Sequence, residues 1–133
     1  MIDLHIHHMA SLTLTFSFFH ANHTLLDPSF CLSTFVGHTD IVWQVKAHYE
    51  REIIASISAD ATVKLWNTNS QNPLLSSWTG NEDKSIVPTS FDFVPNNPNQ
   101  MIVSFNDSSL RLYDMEKGIA ITTFDSQATY GNE

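Results

Sequence analysis

A repeat of 47 residues constrains the fold of this chain more than any other feature of its sequence. Residues 53–67 and residues 100–114 share one order: an apolar strand, a turn that contains an aspartate, and a second apolar strand. The second strand reads Val-Lys-Leu-Trp-Asn in the first copy and Leu-Arg-Leu-Tyr-Asp in the other. Repeats of about 40 to 50 residues with four strands each are typical of β-propeller blades. The repeat therefore predicts two such blades.

The rest of the chain also has the pattern of short strands rather than of helices. In residues 12–18, leucine and phenylalanine alternate with threonine and serine, which is typical of a strand with one buried face. Gly, Pro, Asn and Asp, which favour turns, recur between these short segments. The pattern predicts an all-β fold. Further strands are predicted at residues 30–36, 41–47, 53–57, 62–66, 74–78, 88–94, 101–105, 110–113 and 119–124.

The charge balance excludes several classes of partner. The chain has 14 acidic and 6 basic side chains and a formal net charge of −8, whereas nucleic acids and anionic membranes need clustered Lys and Arg. No apolar run reaches the ~18 residues of a membrane-spanning helix. Asp3 and the absence of nearby Lys or Arg argue against a secretory signal, and the single Cys31 fits a reducing compartment. We therefore expect a cytoplasmic chain without a transmembrane segment.

Four residues have the chemistry of either a catalytic triad or a structural network. His38, Ser56 and Asp60 are the residue types of a Ser-His-Asp hydrolase. However, Ser56 lies inside an apolar strand, without the strand-to-helix elbow that exposes a hydrolase nucleophile. In the alternative, Asp60 orients His38, the second ring nitrogen meets Ser56, and the Trp66 indole N–H completes a buried relay. Buried polar groups persist when all are hydrogen-bonded, so we expect a structural tetrad and no catalytic residue.

These four residues lie in two segments that resemble one WD repeat, GHTDIVW and SISADATVKLW. Three longer strings, DPSFCLSTFVGHTD, IVPTSFDFVPNNPNQMIVSF and LYDMEKG, resemble consecutive stretches of the striatin propeller in the same order. The resemblance covers about residues 27–130. It implies a WD-repeat β-propeller fragment with two blades and part of a preceding blade, which is open rather than closed into a ring.

The resemblance divides the chain into four parts. Residues 1–26 form an atypical, His-rich segment with one strand. Residues 27–79 hold the last strand of a preceding blade and the first full blade, and residues 80–126 hold a second, degenerate blade. Residues 127–133 form a tail.

The second blade departs from the WD pattern at three of the four tetrad positions. Asp107 occupies the turn position and Tyr113 replaces the tryptophan. Ser85 and Val103 stand at the histidine and serine positions, so we expect no tetrad in this blade.

The resemblance implies a protein-interaction scaffold rather than an enzyme. Striatins are regulatory and adaptor subunits of protein phosphatase 2A assemblies that also contain kinases, Mob-family proteins and other adaptors. Such partners imply a cytoplasmic chain that meets membranes only through other proteins. Nothing in the sequence resembles the calmodulin-binding region of the family, and no cofactor is expected.

Two other functions remain open from the sequence. A WD-repeat adaptor of another class, such as a ubiquitin-ligase substrate receptor or a vesicle-coat subunit, has the same fold. A hydrolase that uses His38, Ser56 and Asp60 is the third hypothesis.

One group of residues beside the first blade has the composition of a binding anchor. Val42 and Val45 are predicted to point into the core, which places Ile41 and Trp43 on the other side of the strand. Apolar and aromatic residues at a rim are common interface anchors, although Trp43 can instead pack against a neighbouring blade. The candidate protein-binding residues are Asp40, Ile41, Trp43 and Ala59.

Five histidines near the start of the chain, His5, His7, His8, His20 and His23, raise the question of a metal site. Imidazole binds zinc and copper. No cysteine and only Asp3 stand near them to complete a ligand set, so no metal site is expected.

Overall fold

The computed structural model describes residues 2–6, 14–18 and 34–125, which contain eleven β-strands and no helix. Neighbouring strands run antiparallel in three sheets, with the orders β1-β2-β3, β4-β5-β6-β7 and β11-β10-β9-β8. The expected all-β fold with two four-stranded sheets is therefore confirmed. The strands are β1 Ile2–Ile6, β2 Leu14–Phe18, β3 Thr34–Phe35, β4 Val42–Ala47, β5 Ile53–Ser58, β6 Thr62–Asn67, β7 Leu74–Thr79, β8 Pro88–Phe93, β9 Gln100–Phe105, β10 Leu110–Asp114 and β11 Ile119–Phe124.

The sequence repeat is also a repeat of turn geometry. The β5–β6 turn places Ala61 at a φ of 71°, and the β9–β10 turn places Ser108, 47 residues later, at 69°. In each turn the aspartate, Asp60 or Asp107, accepts a hydrogen bond at 2.9 Å from the backbone N–H two residues further on. This local bond holds the chain in the left-handed conformation that a tight turn needs.

The first strand of the first four-stranded sheet contains a β-bulge at Trp43. Val42 pairs with Ser58 and Gln44 pairs with Ile57, so Trp43 is the extra residue. Strict alternation would send residues three positions apart to opposite faces, but the bulge returns Val42 and Val45 to the same face. Both pack in one apolar cluster. The prediction that both valines point into the core is confirmed, and the bulge is the reason.

The two four-stranded sheets are held together by one apolar cluster. The sheet β4–β7 contributes Ile53, Ala55, Ile57, Val63 and Leu65, and the sheet β8–β11 contributes Phe91, Phe93, Met101, Val103, Phe105, Tyr113 and Met115. Each large side chain that is fully buried stabilises the packing by about 1.5–3 kcal/mol. A second, smaller cluster of Phe35, Val42, Ile54 and Trp66 joins β3 to the other face of β4–β7.

The first part of the chain differs from its predicted organisation in one respect. One strand is predicted within residues 1–26, but the structure contains two, since β1 pairs along the whole length of β2. Alternating Ile2, Leu4 and Ile6 carry the strand pattern that the sequence analysis missed. β2 also pairs antiparallel with β3, so the strands predicted at residues 12–18 and 30–36 are neighbours in one sheet. The predicted tail lies outside the described residues.

Candidate functional site

The structure brings together the four residues of the predicted tetrad. His38, on the loop before β4, lies with its Nδ1 atom 2.9 Å from Asp60 Oδ2 and its Nε2 atom 2.6 Å from Ser56 Oγ. The Trp66 indole Nε1–H donates to the same Ser56 oxygen at 2.9 Å. The network therefore joins a loop, a turn and two neighbouring strands.

One tautomer of His38 satisfies every member of this relay. With the proton on Nδ1, the imidazole donates to Asp60, and Nε2 accepts the Ser56 hydroxyl proton, which leaves the Ser56 oxygen to accept from Trp66. Each donor then points toward Asp60, so the bonds polarise one another in the same direction. Burial strengthens this effect, because His38 is 3% exposed and Ser56 and Trp66 are 0% exposed.

Two threonines complete the relay, and the sequence analysis did not include them. Thr62 donates its hydroxyl proton to Asp60 Oδ1 at 2.5 Å and lies 3.0 Å from His38 Nδ1. The backbone N–H of Thr39 donates to Asp60 Oδ2 at 3.0 Å. Thr62 follows the turn aspartate by two residues, which is the spacing of a local side-chain bond. The two-residue separation of Asp60 and Thr62 could therefore have predicted the contact of Thr62 from the sequence.

The electrostatics of Asp60 follow from these donors. Burial of the carboxyl raises its pKa, but the hydrogen bonds from His38, Thr62 and Thr39 outweigh burial and hold the pKa well below its usual range. Asp60 is therefore a stable carboxylate in the fold.

The arrangement has the connectivity of a catalytic triad but lacks the access that catalysis needs. A nucleophilic serine must reach a substrate carbonyl, with oxyanion donors about 3 Å away. Ser56 is 0% exposed, and its oxygen is already hydrogen-bonded to both Trp66 Nε1 and His38 Nε2. The geometry supports a structural network that fastens the loop before β4 to the sheet β4–β7.

The second four-stranded sheet replaces this network with apolar packing. Val103 and Tyr113, at the positions of Ser56 and Trp66, are 0% and 3% exposed and belong to the cluster between the sheets. Ser85 is exposed. In the second four-stranded sheet, apolar packing thus takes the place of the hydrogen bonds that these positions make in the first.

The candidate protein-binding residues lie at one end of the first four-stranded sheet. Ile41 and Trp43 are 40% and 47% exposed. The backbone carbonyl of Ile41 accepts the Ala59 N–H at 2.8 Å, so the two loops are joined. Asp40 is exposed beside them, and its Oδ1 atom accepts the N–H of Ile41 at 2.8 Å.

Trp43 combines the two roles that the sequence left open. Its indole N–H donates to the Pro88 carbonyl of the second four-stranded sheet at 2.8 Å, while nearly half of the side chain stays exposed. One edge of the ring thus contacts the neighbouring sheet, and the remainder faces solvent.

Other side chains of the first four-stranded sheet contact the free edge of β8 in the same way. The Gln44 amide accepts from the Phe91 N–H at 3.0 Å and donates to the Phe91 carbonyl at 2.9 Å. The Tyr49 hydroxyl donates to the Val94 carbonyl at 2.8 Å, and Lys46 pairs with Asp92 at 2.7 Å. The sequence analysis did not identify these contacts, because they join residues 45–47 positions apart.

The described residues contain no group of His, Cys, Asp and Glu side chains that could hold a metal ion. Of the five early histidines, His5 lies in β1, and the other four lie outside the described residues. Nor does this part of the chain contain a helix long and apolar enough to cross a membrane.

Comparisons with known proteins agree with this architecture. Residues 29–67 match the WD40 family, described as "WD domain, G-beta repeat". Striatin-3 of Homo sapiens is 36% identical over 105 residues, which cover 79% of this chain and 13% of that protein. Striatin-4 of Homo sapiens is 34% identical over 105 residues, with 79% and 14% covered. Striatin of Homo sapiens is 36% identical over 101 residues, with 75% and 13% covered.

One solved structure, "Crystal Structure of Mitotic Checkpoint Complex", contains a chain that superimposes with a TM-score of 0.65. The match has 16% sequence identity and covers 87% of this chain and 33% of the other. At this identity the likeness shows the fold alone. The chain spans 13–14% of the length of the striatins cited above.

Proposed function

We propose that this chain, which is 36% identical to striatin-3 of Homo sapiens over 79% of its length, belongs to the striatin family and is an adaptor subunit in assemblies of protein phosphatase 2A. The similarity to striatins over 79% of the chain is the observation that carries the proposal. Family and fold both point to a non-catalytic protein-interaction scaffold, and the 0% exposure of Ser56 agrees. The phosphatase assembly and its kinase, Mob-family and adaptor components are the partners we propose.

The contact surface in this proposal is the end of the first four-stranded sheet that carries Asp40, Ile41, Trp43 and Ala59. Half-exposed aromatic and apolar side chains at an ordered rim are typical interface anchors. Trp43 is fixed by its bond to Pro88, and Ile41 by its bond to Ala59. A surface that is already ordered loses little conformational entropy when a partner binds.

We also propose a cytoplasmic location, with membranes reached only through partner proteins. The single cysteine and the net charge of −8 support a reducing compartment and argue against direct contact with anionic lipid.

Capture of purified phosphatase 2A subunits by the immobilised full chain tests this function. We expect capture that does not change when calcium is chelated, because the proposed contacts need neither calcium nor calmodulin. Ile41→Ser should weaken capture at least tenfold if Ile41 is an anchor, an effect of about 1.4 kcal/mol.

Leu74→Ser is the matched control, because Leu74 is similarly exposed, at 46%, but lies on the outer strand β7. It should leave capture unchanged. Absence of capture by the wild-type chain would contradict the phosphatase assignment. Equal losses in the two variants would contradict the assignment of the contact surface.

A further inference from the structure

We propose that the surface around Trp43 recognises a basic protein segment that inserts one apolar side chain between flanking Lys or Arg residues. This inference rests on the proposed scaffold function and specifies the chemistry of the partner at the same surface. It follows from three features of the structure: an apolar centre, exposed carboxylates in the loops connected to it, and a difference in charge between the two ends of the sheets.

The apolar centre is formed by Ile41 and Trp43. Their exposures of 40% and 47% leave apolar surface in water, although the bonds to Ala59 and Pro88 already fix both residues. An apolar side chain of a partner would gain about 25 cal/mol for each Å² of apolar surface that it covers here. The centre therefore supplies affinity for an apolar residue but no preference for charge.

Two exposed carboxylates are connected to this centre. Asp40 adjoins Ile41 in sequence and is exposed. Val87, the residue before Pro88, exchanges two hydrogen bonds of 3.0 Å with Asn106, one through the Asn106 backbone N–H and one through its side chain. Asp107 follows Asn106 and is also exposed.

The two ends of the four-stranded sheets differ in charge. We define the upper face as the loops 36–41, 59–61, 80–87 and 106–109, which include the Trp43 rim, and the lower face as the loops 48–52, 68–73, 94–99 and 115–118. The loops of the upper face have five carboxylates and one amine: Asp40, Asp60, Glu82, Asp83, Asp107 and Lys84. Arg111 of β10 adds a second cation, since it donates to the Gly80 carbonyl at 2.6 Å and pairs with Asp107 at 3.7 Å. The lower face has three carboxylates and two cations: Glu50, Glu52, Glu116, Arg51 and Lys117.

This difference decides the sign of the partner. The Asp60 side chain is held in the relay and is only 7% exposed, but the other four carboxylates of the upper face are exposed. A surface of one sign steers an oppositely charged partner toward itself and repels a partner of the same sign. The upper face therefore combines an apolar anchor point with attraction for Lys and Arg, and the lower face is nearly balanced.

The test uses the full chain and two short fluorescent peptides, one with a leucine between arginines and one with the same leucine between glutamates. Fluorescence anisotropy should show binding of the arginine peptide and no binding of the glutamate peptide. At about 1 M salt, where the screening length is ~3 Å, the arginine peptide should bind much more weakly.

Two double variants with the same change in net charge locate the effect. Asp40→Asn with Asp107→Asn keeps the oxygens that accept from Ile41 and Ser109. It removes the ion pair of Asp107 with Arg111, but that pair is long, at 3.7 Å, and partly exposed, so the melting temperature should stay close to that of the wild type. It should weaken binding of the arginine peptide by about two- to fivefold per site. Glu50→Gln with Glu116→Gln, on the lower face, should leave binding within about twofold.

Three results would each overturn the inference: equal binding of the two peptides, equal effects of the two double variants, or no binding of the arginine peptide. Capture of phosphatase subunits through Ile41 would still stand in those cases, because that experiment does not depend on the sign of the peptide. Binding of the arginine peptide together with failed phosphatase capture would instead support this surface and contradict the proposed partner.

Discussion

At the scale of single residues, this chain fixes one loop with a directed series of hydrogen bonds. Asp60 accepts from His38, Thr39 and Thr62, and Ser56 links His38 to Trp66. An unmade bond to a buried polar group costs more than the made bond contributes, because the group has already lost its water. The relay therefore makes the first four-stranded sheet sensitive to single substitutions that the second sheet would tolerate.

Replacement of Asp60 by alanine tests this sensitivity. We expect Asp60→Ala to lower the free energy of unfolding by about 2–4 kcal/mol, because it leaves His38 and the Thr39 N–H without their acceptor. Asp107→Ala is the matched control in the exposed second turn and should cost less than about 1 kcal/mol. Chemical denaturation of both variants measures the difference. Similar losses would show that the relay does not stabilise the fold in this way.

A second residue-scale prediction concerns His48 and pH. His48 Nδ1 accepts the backbone N–H groups of Glu50 and Arg51, each at 3.0 Å, and the ring stacks on Tyr49 with centroids 4.3 Å apart. Burial lowers the pKa of His48 below its ordinary value of 6.5, and the Arg51 cation acts in the same direction. A proton on Nδ1 would remove the acceptor that both N–H groups use.

The sign of the pH effect follows from the lowered pKa. His48 is neutral in the fold, and the unfolded chain binds the proton first as the pH falls. The stability that His48 contributes is therefore present above about pH 6.5 and declines below it, until the pH reaches the folded-state pKa. His48→Gln should flatten this part of the pH profile in thermal melts. An unchanged profile, or an NMR titration of His48 above pH 6.5, would contradict the prediction.

At the scale of strands, β4 and the loop that follows it cap the edge of β8 and the residue after it. The edge of a sheet presents backbone groups without strand partners, which cost free energy when they are buried. Trp43 bonds the Pro88 carbonyl, Gln44 bonds both backbone groups of Phe91, and Tyr49 bonds the Val94 carbonyl. Side chains thus perform the pairing that a further strand would otherwise provide.

Gln44 is the most informative member of this cap. Gln44→Leu keeps much of the side-chain volume but leaves the Phe91 N–H and carbonyl without partners, so it should lower stability by about 1–3 kcal/mol. The Phe91 amide should also exchange its hydrogen faster. Ser90→Ala is the control, since Ser90 holds the equivalent position on β8 and is exposed. Hydrogen exchange followed by NMR checks both variants, and an unchanged Phe91 amide would contradict this role.

At the scale of the whole molecule, the second four-stranded sheet has one covered face and one open face. Its residues Met101, Val103 and Phe105 are buried against the first sheet. On the opposite face Leu110 pairs across the strands with Phe124, and these side chains are 37% and 52% exposed. The outer strand β11 adds Ile119 and Ile121, at 56% and 50%. Exposed apolar faces and strand edges of this kind promote association.

We therefore predict that the isolated chain associates rather than behaving as a monomer of 15.0 kDa. Size-exclusion chromatography should show larger species. Leu110→Lys combined with Phe124→Glu should reduce them, because the pair is charged and mutually attractive across the strands. A sharp monomer peak of the wild-type chain with a cooperative thermal transition would show that the open face does not drive association.

Local sequence patterns were enough to predict much of this protein. Alternating residues predict the strands, aspartates at fixed offsets predict the repeated turns, and the spacing of His38, Ser56, Asp60 and Trp66 predicts which side chains meet. The missed strand β1 had the same alternating signal at Ile2, Leu4 and Ile6. These features depend on a period of two residues and on hydrogen bonds within a turn, so they can be recognised from the order of the residues alone.

The strands, the turns and the members of the tetrad thus follow from local patterns of residues, whereas the contacts between the two four-stranded sheets depend on how the sheets pack in three dimensions. The bulge at Trp43 returns Val42 and Val45 to one face, and the bonds from Gln44 and Tyr49 reach backbone atoms 45–47 residues away. Every residue has the same backbone carbonyl, and every residue except proline the same N–H, so the sequence does not show which of these groups a sheet edge leaves unpaired. That choice depends on how the two sheets lie against each other once their apolar faces are buried.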